Sequence, residues 1–226
     1  MLTNYEYSRF FDKAFCINLD SRPDRWEECK LEFEKIGLEH YVERVPAFQM
    51  SPGIAGCSKS HHECVRLAKL RNYKRVLILE DDVTFIGPQL YDLLCKAHDQ
   101  LEHAGLSYHM LYFSANLRGD QNHLIDSNLA KIVSAKAAHA YILDNSTYDF
   151  ILDAYSDINW SLDWNWTHTN PNRMNMDVWY KNIQAYGHTY GVYPSLAEQR
   201  HSYSDLINEE CYYNLSAVYN KILENA

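Results

Sequence analysis

The sequence has 226 residues, of which 46% are hydrophobic and 23% are charged, and its formal net charge is −9. A chain of this length can bury a full hydrophobic core, and the composition excludes disordered, collagen-like and low-complexity classes. The acidic balance argues against a broad nucleic-acid-binding surface, although it leaves room for a local phosphate pocket. We therefore predict one domain over residues 1–226 and no nucleic-acid partner.

The amino-terminal residues and the cysteines bear on the cellular compartment. Residues 1–9 lack a basic start followed by an apolar stretch, and the apolar runs are far shorter than the roughly 20 residues that span a bilayer. We therefore expect a soluble, cytoplasmic protein with no signal peptide or transmembrane segment. The six cysteines are scattered without a Cys-x-x-Cys pair, so we expect reduced and mostly buried thiols.

A strand, a turn and a helix are predicted first along the chain. The apolar run Lys13–Leu19 is typical of a strand. Ser21 is a suitable N-cap and Pro23 suits the first helical turn, after which apolar residues recur at helical spacing until Gly37. This pattern predicts one β-α unit.

Strands and helices alternate through the first two thirds of the chain, which predicts an α/β fold with a Rossmann-like, mainly parallel sheet flanked by helices. The strand at 75–80 is nearly all apolar, so we expect helices to cover it on both faces. The last third mixes tryptophan and tyrosine with polar residues and predicts loops and short elements. The predicted elements after the first unit are helix Ile54–Leu70, strand Arg75–Glu80, helix Gln89–Ala104, strands Tyr108–Phe113 and Ala138–Leu143, and helix Thr147–Tyr155.

Three consecutive carboxylates, Glu80, Asp81 and Asp82, follow the apolar strand. They repel one another, and burial at a strand end is costly unless a cation or hydrogen-bond donors offset that repulsion. Oxygen ligands at the carboxyl end of a strand fit Mg²⁺ or Mn²⁺ beside a phosphate-bearing substrate. An acidic surface turn that binds no ion is the alternative.

Two further segments could receive a phosphate group. Gly56, Lys59 and Ser60 lie near the opening of the second predicted helix, where glycine allows close backbone approach and the side chains add donors. An ordinary helix start with a surface lysine is the alternative. Arg22 and Arg25 follow the first strand and could hold a pyrophosphate or a base, or form a local pair with the intervening Asp24.

Two regions of the last third carry candidate residues for catalysis or ligation. Asp177 has aromatic neighbours, and a carboxylate held near apolar rings can have a pKa that suits a general base. The tryptophans at 160–166 could stack on a sugar ring or form an ordinary aromatic core. Residues 199–205 form a polar loop that includes His201 and could close over a ligand.

Together these segments resemble glycosyltransferase family 25, the lipooligosaccharide and procollagen galactosyltransferase family. The pairing of a Gly-Cys-x-x-Ser-His helix start with a strand that ends in Glu-Asp-Asp is the most specific part. The matching segments span about residues 13–205. They are Ile17–Asp20 with Arg22–Trp26, Gly53–His61, Val76–Asp82, Ala140–Leu143, Asp177, and Pro194–Ala197 with Gln199 and Ser204–Asp205.

The resemblance implies a GT-A fold in which about 13–115 bind the nucleotide sugar and about 116–226 form an irregular acceptor-binding half. It implies Mn²⁺ or Mg²⁺, a UDP-sugar donor, and an inverting transfer of a hexose, galactose or glucose, to a hydroxyl of a glycan, lipid-linked saccharide or protein. The implied metal ligands are Asp82 first, then Asp81 and Glu80, with His201 as a further ligand. The implied nucleotide contacts are Asn18, Leu19, Arg22, Gly56, Lys59, Ser60 and Asp81, and the implied catalytic base is Asp177.

Two alternatives from other functional classes remain open at this point. A nucleotide-sugar-binding module without transfer activity would bind UDP and metal but leave the donor intact. A metal-dependent phosphohydrolase would use the same carboxylates to activate water and would release phosphate without sugar transfer. The sequence leaves the donor sugar, the acceptor and the oligomeric state open.

Overall fold

The computed structural model describes residues 5–136, 138–156, 175–204, 209–211 and 214–226. Its strands are β1 Lys13–Asn18, β2 Val42–Pro46, β3 Arg75–Glu80, β4 Val83–Phe85, β5 Met110–Tyr112, β6 Asn116–Leu117, β7 His123–Asp126, β8 Leu129–Lys131, β9 Ala135–Lys136, β10 Ala140–Asp144, β11 Thr189–Val192, β12 Ala197–Gln199, β13 Ser202–Ser204 and β14 Glu209–Cys211. Its α-helices are α1 Pro23–Ile36, α2 Gly53–Leu70, α3 Leu90–His103, α4 Tyr148–Ala154, α5 Met176–Trp179, α6 Lys181–Gln184 and α7 Leu215–Glu224. Short 3₁₀ turns occupy Tyr7–Arg9 and Asn145–Thr147.

A mixed eight-stranded sheet forms the centre of the described chain, in the order β2-β1-β3-β10-β5-β11-β8-β7. The pairings β1 with β2, β1 with β3 and β5 with β11 are parallel, whereas β10 and β8 are antiparallel to both of their neighbours. Six of these eight strands therefore point in one direction. The predicted α/β class, with a large and mainly parallel sheet flanked by helices, is confirmed.

The reversal of β10 follows from what connects it to β5. Parallel neighbours need a long crossover, usually helical, whereas antiparallel strands can be joined by hairpins. The described residues between β5 and β10 form the short strands β6 to β9 and contain no helix. The chain therefore re-enters the sheet between β3 and β5 from the opposite end, which brings the residues before Ala140 to the same edge as the end of β3.

The sheet separates two hydrophobic cores, one on each face. Alternate residues of β3 point to opposite faces, as expected for a strand: Val76 and Ile78 pack in one core, and Leu77 and Leu79 in the other. The first core includes residues of α2, α4, α5, α6 and α7, and the second includes residues of α1 and α3. The side chains that follow β3 are therefore directed either to the α2 side or to the α1 side.

Most predicted elements agree with the structure to within two residues at each end. β3 coincides with its predicted range, and α1 begins at Pro23 and ends before Gly37, whose φ of 69° is the left-handed conformation that glycine favours. The prediction of Ser21 as N-cap is wrong. Arg22 occupies that position and makes no side-chain capping bond.

Two sequence expectations concern membrane-spanning helices and the state of the cysteines. None of their helices combines the length and apolarity needed to cross a bilayer. Among the cysteines they include, Cys16, Cys29 and Cys64 are buried free thiols, and Cys57 and Cys95 are partly buried free thiols.

Candidate functional site

Asp81 is held on the α1 side of the sheet by two donors. The Arg25 guanidinium lies 2.8 Å from Oδ1 of Asp81, and the Asn18 amide donates to Oδ2 at 2.7 Å. The Cys29 thiol, also from α1, donates to the Asp81 carbonyl oxygen at 3.2 Å. Burial raises the pKa of Asp81, and Arg25 and Asn18 offset part of that effect. Asp81 is thus engaged within the chain, and its role as a metal ligand or ribose contact stays a prediction.

Glu80 is directed to the other side, toward α2. Its Oε1 lies 3.0 Å from Nε2 of His61, and Nδ1 of His61 lies 2.7 Å from the Tyr141 hydroxyl. The Tyr141 hydroxyl lies 2.7 Å from the Tyr180 hydroxyl, so four side chains form one chain of hydrogen bonds. Burial acts to raise the pKa of Glu80, but His61 outweighs it and the pKa lies below its ordinary value.

Asp82 receives little compensation for its burial. Its Oδ2 lies 3.3 Å from the Gln199 amide, and its Oδ1 is buried with no hydrogen-bond partner among the described residues. Burial raises the pKa of Asp82, and the charges of Glu80 and Asp81 raise it further, to about 7. A buried carboxylate oxygen without a donor is costly unless a proton or a cation meets it. Asp82 and Glu80 therefore fit a divalent cation that prefers oxygen ligands, such as Mg²⁺ or Mn²⁺.

The segment at β12 closes over the acidic residues, because β12 pairs with β4 directly after them. The Gln199 amide reaches Glu80 at 3.4 Å as well as Asp82. The Arg200 backbone N–H donates to the Asp82 carbonyl oxygen at 2.7 Å. His201 follows Arg200 directly and is exposed. Its role as a further metal ligand stays a prediction.

Asp177 lies on α5, and α5 is attached to α2. The backbone N–H at the start of α5 donates to Ser58 Oγ at 3.0 Å. The neighbouring thiol, Cys57, has its pKa raised by burial and then by the charges of Glu80, Asp177 and Asp82. The charges of the predicted base and of two predicted metal ligands therefore all affect the Cys57 thiol, near the start of α2.

The first turns of α2 hold the preceding loop of the chain. The helix begins at Gly53, so Gly56, Lys59 and Ser60 lie past its first N–H groups, which are the ones a phosphate could meet. A Cβ on Gly56 would lie 2.1 Å from the Phe48 carbonyl oxygen, and Ser60 Oγ accepts from the Phe48 N–H at 2.9 Å. Lys59 Nζ lies 4.2 Å from the centroid of the Phe48 ring. These residues pack the loop, and their contact with a nucleotide stays a prediction.

The end of β1 is also organised by internal contacts. The buried Asn18 amide donates to the Arg22 carbonyl oxygen at 3.0 Å, and Arg44 Nε donates to Asn18 Oδ1 at 2.7 Å. The carbonyl oxygen of the half-buried Leu19 accepts from the Arg22 N–H at 2.9 Å. The Arg22 guanidinium pairs with Asp24 at 2.8 Å, which lowers the pKa of Asp24 to about 2. The local Arg–Asp pair is therefore present, and the nucleotide-binding role of this strand end stays a prediction.

Sequence reasoning missed several polar side chains of this region. His139 is fully buried, and neither ring nitrogen has a hydrogen-bond partner in the described part of the chain. Burial lowers the pKa of His139 to about 4, with Glu80 acting in the opposite direction. His139 and Arg44 stand in no recognisable motif, and only the pairing of distant strands brings them to the site. The tryptophans predicted to orient an acceptor, at 160–166, lie outside the described residues.

Two curated proteins are similar to this chain in sequence. No family model matches the chain. A curated Drosophila melanogaster protein named Glycosyltransferase 25 family member is 27% identical over 150 residues, covering 55% of this chain and 24% of the relative. A protein of the same name from Drosophila pseudoobscura pseudoobscura is 28% identical over 179 residues, covering 54% and 28%. The predicted resemblance to glycosyltransferase family 25 is confirmed by these matches, and the chain spans about a quarter of the length of these relatives.

Solved structures with a similar course of the chain share little sequence with it. A197 from STIV aligns with a TM-score of 0.45 and 11% identity, covering 89% of this chain and 94% of that one. A glycosyltransferase involved in the glycosylation of the major capsid of PBCV-1 aligns with a TM-score of 0.39 and 8% identity, covering 80% and 92%. Mannose-1-phosphate geranyltransferase from Thermus thermophilus aligns with a TM-score of 0.42 and 9% identity, covering 80% and 73%.

Proposed function

We propose that this chain is a metal-dependent glycosyltransferase that moves a hexose from a UDP-sugar to an acceptor hydroxyl with inversion. The observation that carries the proposal is the uncompensated burial of the Asp82 carboxylate. Its Oδ1 has no hydrogen-bond partner among the described residues, and the pKa of Asp82 is raised to about 7. This carboxylate stands where the sequence resembles the metal motif of glycosyltransferase family 25. The Drosophila relatives that bear that family name support the same activity.

Asp82, with Glu80 beside it, would hold the divalent cation. When bound, the cation would stabilise the negative charge of the departing nucleoside diphosphate. Gln199 donates toward both carboxylates and so keeps them on one side of the site. Asp81 contributes indirectly, because its contacts with Arg25 and Asn18 attach the carboxylate segment to α1 and β1.

Asp177 would remove the proton from the acceptor hydroxyl as that oxygen bonds to the anomeric carbon. Inversion needs the base on the face opposite the leaving group, and Asp177 comes from α5, whereas the acidic residues follow β3. Arg22 and Lys59 would neutralise the remaining phosphate charge, and Asn18, Leu19, Gly56 and Ser60 would shape the nucleotide pocket. The acceptor would be a glycan, a lipid-linked saccharide or a protein hydroxyl.

The first test is thermal stability with UDP and a panel of UDP-sugars, each with Mn²⁺ and with chelator. A ligand that binds only the folded protein raises its melting temperature. We expect a Mn²⁺-dependent shift with UDP and a larger shift with one UDP-sugar, which would identify the donor. No shift with any nucleotide would contradict the proposal.

The second test distinguishes the proposed metal ligand Asp82 from the proposed base Asp177. Asp82→Asn should abolish the Mn²⁺-dependent shift with UDP, whereas Asp177→Asn should retain that shift and lower the transfer rate by about 10²-fold or more. Asp99→Asn, on an exposed carboxylate that pairs with Arg9, is the matched control and should change neither. Near-wild-type transfer by Asp177→Asn would refute the base assignment. Phosphate release without sugar transfer would instead support the phosphohydrolase, and metal-dependent binding with neither reaction would support the inactive binding module.

A further inference from the structure

A sulfur, a nitrogen and an oxygen donor meet beside the acidic residues. Cys57 Sγ, His61 Nε2 and a Glu80 carboxylate oxygen lie within 4.8 Å of one another. Two pairs are in direct contact, since Glu80 Oε1 lies 3.0 Å from His61 Nε2 and 4.0 Å from Cys57 Sγ. Cys57 and His61 project from consecutive turns of α2, and Glu80 ends β3. The packing of α2 on the sheet therefore brings the three donors together.

We propose that Cys57, His61 and Glu80 form a binding site for a thiophilic divalent cation of the Zn²⁺ class, separate in its chemistry from the oxygen-donor centre at Asp82. Thiolate, imidazole and carboxylate are the ligand types that bind Zn²⁺, and sites with three protein ligands leave a fourth position for water or another ligand. Mg²⁺ and Mn²⁺ prefer oxygen donors, so the thiolate distinguishes the two sites.

The surroundings of the three donors already contain the second layer of contacts that zinc sites use. A zinc-bound imidazole commonly donates its other N–H to a fixed acceptor. Nδ1 of His61 lies 2.7 Å from the Tyr141 hydroxyl, which can accept from it because that hydroxyl can donate onward to Tyr180. The Glu80 carboxylate is likewise held from outside, by the Gln199 amide at 3.4 Å.

The charge around Cys57 also favours a cation. Glu80, Asp177 and Asp82 all act on the thiol, and together with burial they keep it protonated when no cation is present. Metal binding would replace the thiol proton with the metal and release that proton to solvent. His61 would bind the metal through Nε2, with its proton on Nδ1 and the Tyr141 hydroxyl as the acceptor.

Because Glu80 is shared, the two cations would interfere with each other. A Zn²⁺-class ion at Cys57 would draw Glu80 away from Asp82, so it would weaken Mn²⁺ binding there. The site itself depends only on the three donors, and it would bind metal whether or not the chain transfers sugar.

The test uses Cd²⁺ and Co²⁺ added to the metal-stripped full chain, because both ions give ultraviolet thiolate-to-metal charge-transfer bands. We expect one band in the wild-type protein at one equivalent of metal, its loss in Cys57→Ser, and its retention in Cys95→Ser. Cys95 is the matched control because it is also a partly buried free thiol. Absence of the band from the wild type, its retention in Cys57→Ser, or its loss in Cys95→Ser would overturn the proposal.

A second measurement needs no variant and so does not depend on Cys57→Ser folding. Zn²⁺ should slow alkylation of Cys57 in the wild-type protein and leave the rate at Cys95 unchanged, as read by mass-spectrometric peptide mapping.

Tyr141→Phe, which removes the acceptor for His61, should lower Zn²⁺ affinity by about 10-fold. Equal protection of the two cysteines, or none, would refute the site even if the UDP experiments support sugar transfer.

Discussion

The two sides of the acidic motif differ in how their charge is balanced. On the α1 side, Asp81 meets Arg25 at 2.8 Å and the Asn18 amide at 2.7 Å. On the α2 side, Glu80 has His61 and Gln199 near it, but Oδ1 of Asp82 has no partner within the described ranges. The difference indicates that one residue of this short run holds the motif in place, whereas the cation site that we propose uses the other two.

The largest expected effect is on the α1 side. Asp81→Ala should lower the free energy of unfolding by about 3–5 kcal/mol, because it leaves the buried Arg25 guanidinium without its carboxylate. Urea denaturation followed by circular dichroism measures this change. Asp99→Ala, which removes an exposed partner of Arg9, is the control and should have little effect. A similarly small effect for Asp81→Ala would show that the ion pair does not hold the motif.

On the α2 side, replacing a carboxylate should stabilise the metal-free protein, whereas on the α1 side it should destabilise it. The pKa of Asp82 is about 7 in the folded protein and near 4 in the unfolded chain, so between these values the folded state binds more protons. Metal-free stability should therefore fall as pH rises from 4 to 7. Asp82→Asn removes the ionisation and should raise the free energy of unfolding by about 4 kcal/mol at pH 8, with the gain disappearing near pH 4.

Chelator-treated wild type and Asp82→Asn, compared by urea denaturation at pH 4, 6 and 8, test this prediction. A difference between the two proteins that does not change with pH would show that burial does not penalise the charged form of Asp82. A destabilising effect of the substitution at pH 8 would contradict the prediction outright.

The smallest expected effect lies further into the α2 side. Tyr141→Phe removes the hydroxyl between His61 and Tyr180 and should cost about 1–2 kcal/mol, because it takes a partner from each of them. Tyr108→Phe is the matched control, since the buried Tyr108 hydroxyl has no hydrogen-bond partner among the described residues, and it should be neutral or slightly stabilising. Equal melting temperatures for the two variants would show that the hydrogen-bond chain does not contribute to stability.

Much of the fold could be predicted because its signals are local. The apolar run of β3 and the helical spacing between Pro23 and Gly37 depend on residues close in the chain, and both agree with the structure. β2 was not predicted, because the polar residues within Val42–Pro46 mask a strand at the edge of the sheet. The direction of β10 was not predicted either, since it depends on the connection from β5 and on which strands accept it.

For the candidate site too, some features could be predicted from the sequence and others depended on the tertiary structure. The sequence by itself determined that three carboxylates end a buried strand and that a helix with Cys57 and His61 precedes it, because residue order and apolar periodicity are local properties. Only the tertiary structure decided that Asp81 pairs with Arg25 while Glu80 meets His61 and Cys57. The physical reason is that consecutive residues at the end of a strand point to opposite faces, and each face is packed by a different helix, so the partner of each carboxylate depends on how those helices cover the sheet.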